Sequence, residues 1–214
     1  GVFTKYAAEG YAPECWIWNS VKGEHYTNPE ENVTTALRDS CNYFFYSVGH
    51  DLGIDKMGDY AHAYGLGVST GIELVETVGN MSNEANHADY TGTVWRIGDT
   101  MQAAIGQSDS IFSPLQLAQY CATVANSGHR YSTSILKTVR NYDYSRKIYE
   151  REPEVLNTIR SAEYNWVAIH EGMYMVLNDW FNEPNAEVWT ACPWICAGKT
   201  GTHEQKVISF GGYT

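Results

Sequence analysis

Ala197-Gly198-Lys199-Thr200-Gly201-Thr202 is the stretch of the chain best equipped for chemistry, and it has two readings. Gly198-Lys199-Thr200 fills the last three places of a phosphate-binding loop, G-x-x-x-x-G-K-[ST]. That loop needs its first glycine at position 193, which is Pro193, and a helix after the lysine, where this sequence continues as strand. The context therefore argues against a phosphate-loop NTPase. The other reading is K-T-G on a sheet strand. Gly201 would let a ligand backbone approach, Lys199 supplies a cation, and the hydroxyls of Thr200 and Thr202 can bind a carboxylate. A second group, Ser40-Cys41-Asn42, has the form S-x-N and sits between two helical segments.

A serine nucleophile needs a base within hydrogen-bond reach. One S-x-x-K occurs, Ser134-Ile135-Leu136-Lys137, in a stretch that alternates like a strand. Positions three apart on a strand face opposite ways, so Lys137 is not expected to deprotonate Ser134. Gly106-Gln107-Ser108-Asp109-Ser110 misses the G-x-S-x-G elbow at its last place and reads as a loop. His170-Glu171 opens like H-E-x-x-H, but Tyr174 stands at the second histidine. His62 and His87 have no ligand spacing and read as surface or turn residues. The five cysteines, Cys15, Cys41, Cys121, Cys192 and Cys196, form no C-x-x-C pair and read as scattered small hydrophobes. No metal or cofactor is expected.

These groups must be held by elements the sequence outlines. Asn28, Pro29 and Glu31 have the order of a cap, a first helical residue and a capping box, ahead of a stripe of Val33, Ala36 and Leu37. Tyr43 to Leu52 predicts a second helix stopped by Gly53, and Ile54 to Tyr64 a third ended by Gly65. The aromatic run Tyr43 to Tyr46 reads as core. Residues 75 to 92 read as a long surface loop. Ser113, Pro114 and Gln116 open a helix that Gly128 closes, and Tyr131 to Val139 alternates like a strand. Ser161 caps a helix with Trp166, Ile169, Met173, Val176, Leu177 and Trp180 on one face. Trp194 to Thr200 reads as a strand, Thr202 to Gln205 as a turn, and Val207 to Phe210 as the next strand. So small a sheet beside so much helix would leave a face or edge uncovered, as if part of a domain were missing.

Composition narrows the class. With 214 residues and 43% hydrophobic content the chain is globular. A net charge of −11 with 14 Lys+Arg argues against nucleic-acid binding. No apolar run is long enough to span a membrane, and Gly1 in place of Met points to a natural start upstream. The 16 Tyr and 7 Trp, with only 18% charged residues, make a surface polar through hydroxyls and amides more than ion pairs.

K-T-G and an S-x-N triplet, with S-x-x-K, are the signature shared by penicillin-binding proteins and class A β-lactamases. The run from Asn32 to Gly71, including Thr35 to Tyr46 and Gly65-Leu66-Gly67, resembles the transpeptidase domain of class B penicillin-binding proteins. So do Ile105-Gly106-Gln107, Ser113 to Ala118 and Ala125-Asn126-Ser127-Gly128. The likeness spans nearly the whole chain and is strongest to the members serving cell elongation. It implies an α+β fold, an antiparallel sheet flanked by helices, with residues 1–214 forming one partial domain: the helical part, the K-T-G strand and the next strand. It implies acyl transfer from the D-Ala-D-Ala end of a peptidoglycan stem peptide, and trapping by β-lactams.

By the same resemblance Ser40 relays a proton and Asn42 hydrogen-bonds the substrate amide. Lys199 keeps the site electropositive, and Thr200, Gly201 and Thr202 receive the substrate, with the Thr202 N–H as an oxyanion donor. The family's nucleophile lies in an S-x-x-K upstream of S-x-N, and no such tetrapeptide precedes Ser40: Ser20 is followed three places on by Gly23. The serine and a membrane anchor are expected outside this chain, on the extracytoplasmic face of a bacterial membrane, with cell-elongation proteins as partners. A non-catalytic module that keeps the cleft without the serine is the alternative.

Overall fold

A computed structural model describes residues 13–16, 31–180, 193–202 and 208–213. Asn32 caps helix α1 (Val33–Arg38): its side chain accepts from the Thr35 N–H, and Thr35 Oγ1 accepts from the Asn32 N–H in return. The expected cap and first turn at Asn28 and Pro29 lie outside the described residues. Glu31, expected in the capping box, instead accepts from the Thr35 hydroxyl. After Asp39 the chain turns through Ser40, at φ 52°, and re-enters helix as α2 (Asn42–Leu52). Gly53, at φ 81°, breaks α2 from α3 (Ile54–Ala63), as the sequence predicts. Tyr46 is buried and Tyr43, Phe44 and Phe45 pack against the core beside it, so the aromatic run is core.

The expected loop over 75–92 contains a helix, α4 (Glu84–Thr91). Its signal is a reciprocal cap between Asn83 and Asn86, with Gly92 left-handed at the other end. An apolar stripe is missing because the one buried residue of α4 is polar: His87. His87 is therefore not a surface residue. Its Nδ1 pairs with Asp109 Oδ1 at 3.0 Å and its Nε2 with Thr93 Oγ1 at 3.1 Å. Helix α5 (Ile97–Ala104) follows, and α6 (Pro114–Ala125) has the expected Ser113 cap and Gln116 box.

Tyr131 to Val139 is not one strand. Strand β1 (His129–Tyr131) pairs antiparallel with β4 (Val155–Thr158), and β2 (Thr138–Arg140) with β3 (Lys147–Glu150). The chain leaves β1 because Thr133 bonds Thr70 through both its N–H and its hydroxyl, while Ser134 bonds Glu73. Helix α7 (Glu163–Met175) starts at Ala162 rather than Ser161, whose hydroxyl accepts from the Asn165 amide, and it continues as a π-helical turn, Val176–Trp180. Trp166, Met173, Val176 and Leu177 are buried, as their shared spacing requires, and Ile169 is half-buried.

Strand β5 (Ala197–Thr202) begins after exposed Trp194 and Ile195 and pairs antiparallel with β6 (Ile208–Tyr213), from Ala197↔Tyr213 to Thr202↔Ile208. The expected turn after Thr202 lies outside the described residues, while Thr202 itself belongs to β5. The fold is α+β, but its strands form three two-stranded ladders among the described residues. Helix α1 packs on α7, α2 on α5, and the β5–β6 ladder on α6 and α7. Cys15, Cys41, Cys121 and Cys196 carry free thiols in this structure.

Candidate active site

The N-terminal ends of the Ser40 turn and α2, the C-terminal end of α5, and β5 enclose a cleft of about 640 Å³. Ser40 projects from the α1–α2 corner. The left-handed backbone there is uncommon for a serine, and two bonds hold the corner. Trp16 Nε1 donates to the Ser40 carbonyl at 2.9 Å, and the Cys41 N–H donates to Ala36 O at 2.9 Å. Asn42 is the first residue of α2 and lines the cleft. Its side-chain amide has no hydrogen-bond partner among the described residues.

Lys199 arrives from the other end of the chain. Pairing of β5 with β6 fixes its backbone, and its Nζ donates to Ser40 Oγ at 2.8 Å across 159 positions of sequence. Nζ also donates to the Thr200 carbonyl at 3.0 Å and lies 3.5 Å from Thr200 Oγ1. Burial of the ammonium pulls its pKa down to about 8. No carboxylate pairs with it among the described residues, so its charge is left for an incoming anion. Thr200 and Gly201 also line the cleft. Thr202 ends the strand by backbone pairing to Ile208, and its side chain lies outside the described residues.

Ser40, Asn42, Lys199, Thr200 and Gly201 thus come together on one cleft. Several neighbours were not foreseen: Trp16, Phe45, Gln107 and Tyr120 also form its walls. Gln107 carries a signal, since it lies in Ile105-Gly106-Gln107. The aromatic residues carry none, because an aromatic in a core and one in a wall look alike in sequence. The phosphate-loop reading fails on geometry: Thr200 to Thr202 continue β5, and no helix follows Lys199 there. Ser134 is not on the strand expected over Tyr131 to Val139 but in the connection before β2. Its hydroxyl donates to Glu73 and to Leu136 O, and with the Ile135 N–H it pulls the Glu73 carboxyl down to about 2. Loop residue Ser108 donates to Asp109 at 2.6 Å and Ser110 meets Ser82 at 2.8 Å, while His170 Nε2 bonds the Val124 carbonyl at 2.7 Å.

The penicillin binding protein transpeptidase domain matches residues 4–214. Peptidoglycan D,D-transpeptidase MrdA of Escherichia coli K12 is 30% identical over 176 residues, 80% of this chain and 27% of its own length. Penicillin-binding protein H of Bacillus subtilis is 30% identical over 213 residues, 90% of this chain and 28% of its own. The chain therefore spans less than a third of these curated relatives. Among solved structures, Pseudomonas aeruginosa PBP2 in complex with WCK 5153 superposes with a TM-score of 0.69 at 24% identity, over 90% of this chain and 41% of that one. Helicobacter pylori PBP2, solved in complex with MreC, gives 0.65 at 24% identity over 90% of this chain and 32% of its own, a likeness of fold. Because the domain match runs through nearly every residue, motifs and intervening helices alike, this chain belongs to the penicillin-binding protein transpeptidase family.

Proposed function

We propose that this chain builds the Ser-x-Asn and Lys-Thr-Gly side of the acyl-transfer site of a peptidoglycan D,D-transpeptidase. The observation that carries the reading is the 2.8 Å bond from Lys199 Nζ to Ser40 Oγ, which joins the two motifs across the cleft. The acyl-accepting serine comes from outside these residues, since no S-x-x-K precedes Ser40. That serine passes its proton to the lysine of its own S-x-x-K, likewise outside these residues, and attacks the penultimate D-Ala carbonyl of a stem peptide. As the C–N bond breaks, the departing D-Ala nitrogen takes a proton from Ser40 Oγ, which draws on the Lys199 ammonium. An acceptor amine then attacks the ester and returns a proton along the same path.

Substrate placement follows from charge and hydrogen bonding. The terminal carboxylate sits against Lys199 and the Thr200 and Thr202 hydroxyls, and the Asn42 amide bonds the peptide amide. The Thr202 N–H faces the developing oxyanion. β-Lactams enter as mimics of the D-Ala-D-Ala end. The site works on the extracytoplasmic face of a bacterial membrane, held by an anchor elsewhere in the protein. No helix among the described residues is long and apolar enough to cross a membrane. The complex of Helicobacter pylori PBP2 with MreC supports cell-elongation proteins as partners.

Intact mass of the full-length protein with and without a β-lactam tests this. One covalent adduct, on a serine outside this chain and slowed by Ser40→Ala by about 10²–10⁴-fold, is the expected result. A folded protein that forms no adduct would be a binding module instead.

A further inference from the structure

Two thiols meet at the back of the Ser40 turn. Cys15 and Cys41 are fully buried in one cluster with Ala36, walled by Tyr43, Phe44 and Phe45. The thiols hydrogen-bond each other, and that contact with burial pushes the Cys41 thiol far above its ordinary range. The adjoining residues are tied as well, through the bond from Trp16 Nε1 to the Ser40 carbonyl. Segment 15–16 therefore lies against segment 41–40, joined once by sulfur and once by indole. Cys41 is the middle residue of the S-x-N triplet, and Trp16 is a wall of the cleft.

We infer that Cys15 and Cys41 form a disulfide in the exported protein, a staple that holds Trp16 and the Ser40 turn together as one wall of the cleft. The inference rests on the extracytoplasmic location proposed above, where disulfides form and persist. The chemistry is a two-electron oxidation by thiol–disulfide exchange. A thiolate of the pair attacks an oxidant of the disulfide class, small molecule or oxidoreductase, and expels one of its thiols. The second cysteine then attacks the mixed disulfide and expels the other. Both cysteine protons are lost, and the oxidant leaves as two thiols. Exchange needs an accessible thiolate, which burial denies in the folded state. The bond therefore forms during folding, before the aromatic wall closes.

The test uses the full-length protein exported to an oxidising compartment, denatured with a thiol alkylator and no reductant, then digested and mapped by mass. The Cys15 and Cys41 peptides are expected joined, two hydrogens lighter than their sum, and alkylated only after reduction. In Cys41→Ser, Cys15 should become alkylated without reduction. Alkylation of both in the parent, or linkage of either to Cys121, Cys192 or Cys196, overturns the inference. A β-lactam added to a parallel sample reads the transpeptidase assignment separately, so an adduct beside two alkylated thiols defeats the staple alone.

Discussion

Lys199 is where burial and function pull in opposite directions. Its ammonium is taken out of water with a hydroxyl and a carbonyl as partners, and its pKa falls from 10.5 to about 8. The folded state therefore binds this proton less tightly than the unfolded chain. Below about 8 both states carry the proton and the penalty is fully present; between about 8 and 10.5 the folded state releases it first and the penalty fades. Lys199→Met, which keeps the apolar stem, is expected to raise stability by about 1–3 kcal/mol at neutral pH, and urea unfolding should show the gain vanish in strong alkali. The same substitution should abolish β-lactam acylation of the full-length protein. In the parent, acylation should decline as pH rises through about 8, because neutral Lys199 neither donates to Ser40 nor attracts a carboxylate. A stopped-flow pH profile that stays flat to pH 10 would contradict this role.

Between elements, the cleft depends on how closely α2 and α5 approach. Gly49 on α2 faces the Ala104 side chain so tightly that a Cβ at 49 would overlap it. Asn42 and Phe45 on one helix, and Ala104 at the end of the other with Ile105 just beyond it, are thereby held across the cleft. Gly49→Leu should cost about 1–3 kcal/mol and slow acylation, read from the urea midpoint and adduct kinetics on one sample. Helix α4 relies instead on its ends. Asn83→Ala removes the acceptor for the Asn86 N–H at 2.9 Å and should cost about 1 kcal/mol with little effect on acylation, because α4 does not line the cleft. An unchanged midpoint would mean that packing of His87, and not the cap, makes that helix.

Across the molecule, burial is divided rather than pooled. Among the described residues the core falls into four small clusters, and the strands into three ladders of two, a size that is marginal in water. Val75, Val94, Trp194 and Ile195 are exposed besides. The 214 residues alone are expected to self-associate and to melt broadly, whereas the full-length protein should remain disperse with a sharper transition. Sedimentation of the two side by side checks it. A monodisperse monomer from the short chain with a sharp melt would show that these edges need no cover.

The motifs Ser40-Cys41-Asn42 and Lys199-Thr200-Gly201, and the helices around Gly53, Ser113 and Trp166, were legible because their signals are local. A cap, a left-handed glycine or a 3.6-residue stripe needs only its neighbours in the chain. Helix α4 escaped because it buries a polar His87 whose partner Asp109 is 22 positions away. The single strand expected over 131–139 divided because Thr133 and Ser134 bond residues more than 60 positions back. The site lies on the same boundary. Residue types named the groups that could act, but the proton path from Lys199 to Ser40 crosses 159 positions, and the walls of Trp16, Phe45 and Tyr120 are ordinary aromatics until packing turns them inward. Short-range hydrogen bonding and periodicity are written along the chain; contact between distant segments exists only once desolvation and shape have decided which surfaces meet.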